Sequence, residues 1–161
     1  MAGVEAMRKP SGVAVGIVES LEDPTGQGKI RLSFPWMGPA MKSAWAPVST
    51  PLAGKDRGCF MMPEVGDEAL VAFEHGDFDH PFILGFLWNG SDLPPENEPQ
   101  MRIIRTPGGH ELRFEDKPGA KKVVVKTEGG LMLTMDDAQQ SITLTGGGRA
   151  VTMQSGQVKI T

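Results

Sequence analysis

Residues 131–161 read LMLTMDDAQQSITLTGGGRAVTMQSGQVKIT, and this stretch decides the fold. Apolar residues stand at every second position of four short segments, with Thr, Ser or Lys mostly between them: residues 131–135, 141–145, 149–153 and 157–161. A period of two is typical of a strand with one buried face. The residues between the segments are rich in Asp, Gln, Ser and Gly, which favour turns. The stretch is therefore predicted to be a stack of very short strands.

The segments also form a near-repeat. Leu133, Ile142 and Val151 are nine residues apart, and Val158 follows seven residues later. Repeats of this kind indicate an elongated stack that grows in one direction.

A meander of such short strands has an apolar face, and no predicted helix is available to cover it. The predicted inward residues are Val123, Val125, Leu131, Leu133, Met135, Ile142, Leu144, Val151, Met153, Val158 and Ile160. Several copies of the chain that turn these faces toward one axis would bury them and would also remove exposed strand edges. We therefore expect a homo-oligomeric β-prism or intertwined β-helix. The alternative is a sheet that packs on the preceding domain.

The composition favours an all-β protein, because 21 glycines and 13 prolines occur in 161 residues and long apolar helical patterns are absent. A net charge of −4 argues against a dedicated nucleic-acid binder. The single cysteine, Cys59, cannot form an internal disulfide. The first ten residues lack the apolar core of a secretory signal, and no segment is long enough to span a bilayer.

The N-terminal half is predicted to be a small Greek-key barrel. Its expected strands are residues 13–19, 29–34, 43–48, 59–62, 68–74 and 82–88. Pro47 is expected to keep its strand at a sheet edge, and Gly85 fits a bend in the last strand. Three more strands are expected at residues 101–106, 110–115 and 121–127. The predicted domain organisation is a tail at 1–11, a barrel at 12–90, a linker at 91–101 and a strand stack at 102–161.

No set of residues predicts catalysis, a metal or a cofactor, so we do not expect an enzyme. His75 and His80 with Asp77 and Asp79 cross a turn and lack the spacing of a closed zinc site. The carboxylates at Glu64, Asp67, Glu68 and Glu74 are more typical of a solvated barrel rim. Cys59 is expected to be a small buried residue. The triple glycine at 146–148 precedes no helix that could hold a phosphate.

Trp36, Trp45 and Trp88, with Lys29 and Arg31, could form a stacking face for single-stranded nucleic acid or an oligosaccharide. Aromatic residues of a small barrel more often lie in the core, so we expect these to be buried. The alternative function is therefore a binding module whose C-terminal strands are only an oligomerisation stalk.

Two stretches carry a family resemblance. Residues 62–77 (MPEVGDEALVAFEHGD), continued by 81–90 (PFILGFLWNG), resemble the OB-fold domain of phage baseplate assembly protein V and VgrG spike proteins. Residues 106–116 (TPGGHELRFED) are similar to the segment that opens the trimeric β-helix of that family. The resemblance covers residues 12 to 161 in order.

This resemblance implies an all-β homotrimer, with an N-terminal OB-fold barrel and a C-terminal trimeric β-helix or β-prism needle. It implies the central spike of a contractile phage tail or related injection system, which pierces the target envelope when the sheath contracts. The expected location is the baseplate of a virion or an extracellular or cytoplasmic injection particle. Many relatives carry a hub region before the barrel, so the resemblance implies a separate tail hub protein here. It also implies a PAAR-repeat tip protein at the C-terminal end.

Overall fold

The computed structural model of the protein describes residues 12–38 and 40–161. The chain divides into two compact units, Met1–Leu93 and Pro94–Thr161. Within the described residues the secondary structure is almost all strand, together with two short 3₁₀ helices at Pro35–Met37 and Glu74–Gly76. No helix in the described ranges is long and apolar enough to cross a membrane. The all-β prediction is confirmed.

The first unit contains a four-stranded antiparallel sheet and a small hairpin. The strands in chain order are β1 (Val13–Ser20), β2 (Arg31–Ser33), β3 (Ala53–Gly54), β4 (Arg57–Gly58), β5 (Glu68–Phe73) and β6 (Pro81–Leu87). The sheet order is β2-β1-β5-β6, and β3 pairs only with β4.

Residues 42–49 close this sheet into a barrel. On one side Ala46 exchanges two backbone hydrogen bonds with Ile30, at 2.8 and 2.9 Å. On the other side the amide of Ile83 in β6 donates to the carbonyl of Pro47 at 3.0 Å, and the amide of Ser49 donates back to Ile83 at 2.7 Å. The prediction that Pro47 keeps its strand at an edge is therefore wrong. The proline is tolerated because the contact with β6 needs its carbonyl and not the N–H that it lacks.

Nine apolar side chains form the barrel core: Val18, Ile30, Leu32, Phe34, Ala46, Ala69, Val71, Phe73 and Ile83. Phe34 lies at its centre, with its ring centroid 5.9 Å from that of Phe73 and 5.4 Å from that of Phe78. In β1 and β5 the core residues alternate with outward ones, as the period-two pattern predicts.

One local prediction for the barrel, the strand at 59–62, is wrong, and another, the bend at Gly85, is confirmed. The expected strand at 59–62 is not formed, and Phe60 is 80% exposed. Instead the segment before it, for which no strand is expected, holds the β3–β4 hairpin, whose turn places Asp56 at a φ of 55°. The bend at Gly85 is confirmed, because the register of β5 with β6 shifts there and leaves Leu84 without a partner in the β5–β6 register.

The second unit is one antiparallel meander of seven strands in sequence order. These are β7 (Met101–Arg105), β8 (Glu111–Glu115), β9 (Lys122–Lys126), β10 (Met132–Asp136), β11 (Ser141–Gly146), β12 (Arg149–Gln154) and β13 (Gln157–Ile160). All seven strands agree with the sequence pattern to within one or two residues. The turns between them are short, so each strand pairs with the next in chain order.

The division between Leu93 and Pro94 falls within the predicted linker at 91–101. The four predicted domain ranges stay a prediction, and the predicted tail at 1–11 lies outside the described residues.

Gly16 of β1 lies against the barrel core with little room for a side chain. A Cβ on Gly16 would lie 3.0 Å from Cε1 of Phe34 and 3.4 Å from Cβ of Leu32. We expect Gly16→Ala to destabilise the barrel by about 1–3 kcal/mol through overpacking. Urea unfolding followed by tryptophan fluorescence measures this, because all three tryptophans precede residue 94.

The matched control is Gly85→Ala, since nothing lies within 4 Å of a Cβ built there. This substitution should change the unfolding midpoint little. Equal effects of the two substitutions would contradict the packing assignment.

Candidate functional site

The C-terminal sheet separates apolar from polar side chains by its register. Directly paired residues of neighbouring strands lie on the same face. Leu133 of β10 pairs with Val125 on one side and Leu144 on the other, and the same row continues to Val151 and Ile160.

A second row, two residues along each strand, lies on the same face. Met135 pairs with Val123 and with Ile142, and the row continues through Met153 to Val158. Together with Leu131, two residues before Leu133, these rows place all eleven predicted inward residues on one face. We call it the apolar face.

The sequence pattern leaves three members of this face unassigned. Ile104 pairs with Leu112, which pairs with Val125, and Phe114 pairs with Val123. The sequence does contain a pattern that could have assigned them, because apolar and polar residues also alternate at 110–115. The charged residues that interrupt β7 and β8 obscure it.

None of the eleven predicted residues is buried within one chain. Leu144 is 53% exposed, Val158 65% and Ile160 75%. Every buried apolar residue of the described chain belongs to the barrel core instead. The apolar face therefore has no covering layer among the described residues of its own unit.

The opposite face of the sheet is mostly polar, and we call it the polar face. Thr134, Thr143 and Thr152 lie directly opposite one another across three strands. Glu111 is 7% exposed and accepts a hydrogen bond from Arg113 at 3.0 Å. This face can therefore remain in contact with water while the other is covered.

Asp136 anchors the turn between β10 and β11 on the polar face. Its carboxylate accepts a hydrogen bond from the amide of Gln139 at 3.0 Å and lies 3.1 Å from Nζ of Lys122. The hydrogen bond from Gln139, followed by that from Lys122, lowers the pKa of Asp136 below its usual value.

The candidate chemical residues of the barrel form no catalytic arrangement. Nδ1 of His80 lies 3.0 Å from Oδ2 of Asp77, across a turn that is open to solvent. Within residues 12–38 and 40–161, no group of three or more potential metal ligands converges. Asp67 accepts a hydrogen bond from the amide of Glu64, which stabilises a turn. Cys59 is only half-buried, so the prediction of a buried thiol is wrong.

The tryptophans of the barrel are more exposed than predicted. Trp36 is 58% exposed and Trp88 70%, so their assignment to the core is wrong. The closed barrel is filled by Phe34, Phe73 and aliphatic side chains, and the indoles of Trp36 and Trp88 lie outside. The ring N–H of Trp36 donates to the carbonyl of Val15 at 2.9 Å. The guanidinium of Arg31 lies 5.1 Å from the Trp45 ring centroid.

The fold and the apolar face define an all-β protein with a five-stranded OB-type barrel followed by a self-associating sheet. A family model described as the type VI secretion system/phage-baseplate injector OB domain matches residues 14–88. A second, described as the phage baseplate V C-terminal trimerisation domain, matches residues 101–161. The chain belongs to this family of phage baseplate V and VgrG-like spike proteins. Membership supports a structural spike role and self-association as a homotrimer.

Three relatives illustrate the range of this family. The type VI secretion system spike protein VgrG1a of Pseudomonas aeruginosa PAO1 is 31% identical over 116 residues, which cover 63% of this chain and 18% of the relative. VgrG3 of Vibrio cholerae N16961, also named a spike protein, is 29% identical over 113 residues, covering 63% of this chain and 11% of the relative.

The third relative is the actin cross-linking toxin VgrG1 of Vibrio cholerae O395. It is 31% identical over 113 residues, which cover 63% of this chain and 10% of the relative. The chain thus spans less than a fifth of the length of these three relatives.

The lowered pKa of Asp136 predicts a pH-dependent contribution to the stability of the sheet. Its carboxylate stabilises the folded state above the unfolded pKa of about 3.9, and this contribution is lost as the pH falls through the folded pKa. We expect Asp136→Asn to lower the urea midpoint at pH 7, whereas wild type and variant should converge in strong acid. Circular dichroism at each pH measures both midpoints. A difference that does not change with pH would rule out the carboxylate as its source.

Proposed function

We propose that the protein is the homotrimeric central spike of a contractile phage tail or a related injection system. Three copies turn their apolar faces toward a common axis and form a stiff trimeric β-helix or β-prism needle. The needle pierces the target envelope when the sheath contracts. The single observation that carries this proposal is the continuous apolar face, which no described residue of the C-terminal unit covers.

The trimer core of the proposal is the eleven-residue set together with Ile104, Leu112 and Phe114. Full burial of one such side chain is worth about 1.5–3 kcal/mol, and every copy contributes the whole set. The polar face is compatible with this role, because its buried carboxylates, Glu111 and Asp136, are paired with Arg113 and Lys122 inside each chain.

A separate tail hub protein is the proposed partner of the barrel unit. The outer face of β1, β5 and β6 supports this partner, because apolar side chains stand exposed there. They are Val13, Val15, Phe82, Leu84 and Leu87. Exposed apolar groups of this number mark a contact surface more often than a bare surface.

The remaining parts of the proposal follow from the family. A PAAR-repeat tip protein caps the C-terminal end of the needle. The particle is a virion baseplate or an injection complex. The described residues act mechanically and perform no catalysis.

The exposed indoles of Trp36 and Trp88 favour a second candidate, a binding module for single-stranded nucleic acid or an oligosaccharide. Tryptophan fluorescence during titration with an oligonucleotide or oligosaccharide separates the two functions. Saturable quenching that weakens with added salt would favour nucleic-acid binding.

The oligomeric state tests the leading proposal directly. Sedimentation and light scattering of the full chain should give three times the chain mass of 17.3 kDa. A monomer at micromolar concentration would overturn the proposal.

Leu144→Asp should abolish the trimer, because three carboxylates would then meet in a core without water. The control is Thr143→Asp, its neighbour on the polar face of the same strand, which should leave the trimer assembled. Light scattering measures both variants. An intact Leu144→Asp trimer would refute the assignment of the apolar face.

A further inference from the structure

The seven-stranded sheet has two lateral edges, formed by its turns. Turn edge 1 consists of residues 106–110, 127–131 and 147–148, and Arg149 begins the strand that follows. Turn edge 2 consists of residues 116–121, 137–140 and 155–156.

Two of the charges at turn edge 2 are paired within the chain. Asp116 pairs with Arg102, and Lys117 pairs with Glu98. Among the described residues, no ion pair or hydrogen bond engages the guanidinium of Arg149 at turn edge 1 or the carboxylate of Asp137 at turn edge 2, although the backbone carbonyl of Asp137 accepts a hydrogen bond from the side chain of Gln140 at 2.8 Å. Both side chains are exposed.

These two residues also border the apolar face. Arg149 lines a hollow of about 520 Å³ together with Leu131 and Leu144. Asp137 lines a second hollow, of about 590 Å³, with Ile142. The apolar face is therefore bounded by an unpaired cation on one side and an unpaired anion on the other.

Cyclic symmetry determines which edges meet. In a closed trimer each interface is heterologous, so it joins two different patches of the chain. When three sheets turn the same face toward one axis, turn edge 1 of each copy adjoins turn edge 2 of its neighbour.

We propose that Arg149 of each copy forms an ion pair with Asp137 of the adjacent copy, and that three such pairs fix the register of the trimer. This inference rests on the proposed trimer and adds the identity of the residues that align its chains. A sheet face made only of apolar groups can slide along the axis, whereas a charge pair specifies one offset.

A second pair of charges fits the same arrangement. Glu128 at turn edge 1 and Lys121 at turn edge 2 are exposed and carry no ion pair within residues 94–161. In chain order, the unpaired acid of turn edge 1 precedes its unpaired base, whereas the unpaired base of turn edge 2 precedes its unpaired acid. The charges of the two edges are therefore complementary in the same direction. An axial displacement of roughly one strand spacing, about 4.8 Å, brings both pairs within the reach of long side chains.

A charge-reversal cycle on the full chain tests the pair. Arg149→Glu and Asp137→Lys should each lower the temperature at which the trimer dissociates at low salt, and the double variant should recover most of that loss. Added salt should shrink the differences. Lys159→Glu, which reverses an exposed charge opposite Thr152 on the polar face, is the control and should change little.

Sedimentation with circular dichroism separates the outcomes. The ion pair is overturned if the wild-type protein is a trimer and neither reversal changes its dissociation temperature. It is also overturned if the double variant does not recover the stability that the single variants lose. Both outcomes leave the spike proposal standing. A wild-type monomer overturns the spike proposal itself. Recovery in the double variant alone supports the pair, because a ring of three Arg149 side chains would not be repaired by changing Asp137.

Discussion

One constraint organises the molecule: a single-layer sheet with an apolar face must find a cover, and its own unit offers none. The barrel unit satisfies its core within one chain, since all nine buried apolar residues pack together there. The C-terminal unit instead distributes apolar groups along two rows, one of which spans all seven strands and the other β8 to β13. Water is excluded from those rows only when another protein surface lies against them.

The sequence predicts the C-terminal sheet well because each strand is recognised from its own residues. Short turns force neighbouring strands to pair in order, so alternation alone determines both register and face. Leu144 and Val151 can therefore be assigned to one face from the amino-acid sequence by itself. Arg149 shows what this alternation cannot predict. The residues around a charged side chain at a turn do not indicate which residue of another copy it would contact.

The barrel is harder to predict because its closure depends on contacts far apart in sequence. The contact of residues 42–49 with β6 joins segments more than thirty residues apart, and nothing near Pro47 in the sequence indicates it. The exposure of Trp36 and Trp88 escapes prediction for a related reason, since a small barrel has room for few rings and Phe34 occupies the centre. The β3–β4 hairpin escapes it because two-residue strands have too few positions to show alternation.

The antiparallel meander also has a consequence for how such proteins can change in length. Each added hairpin returns the chain to the edge from which it left and continues both rows unchanged. Insertion or loss of two strands therefore preserves the strand pairing on both sides of the change. Insertion or loss of a single strand would instead make the chain continue from the opposite lateral edge of the sheet. Spikes of this architecture can thus evolve to different reach in paired increments, by duplication of segments about as long as the β10–β11 hairpin.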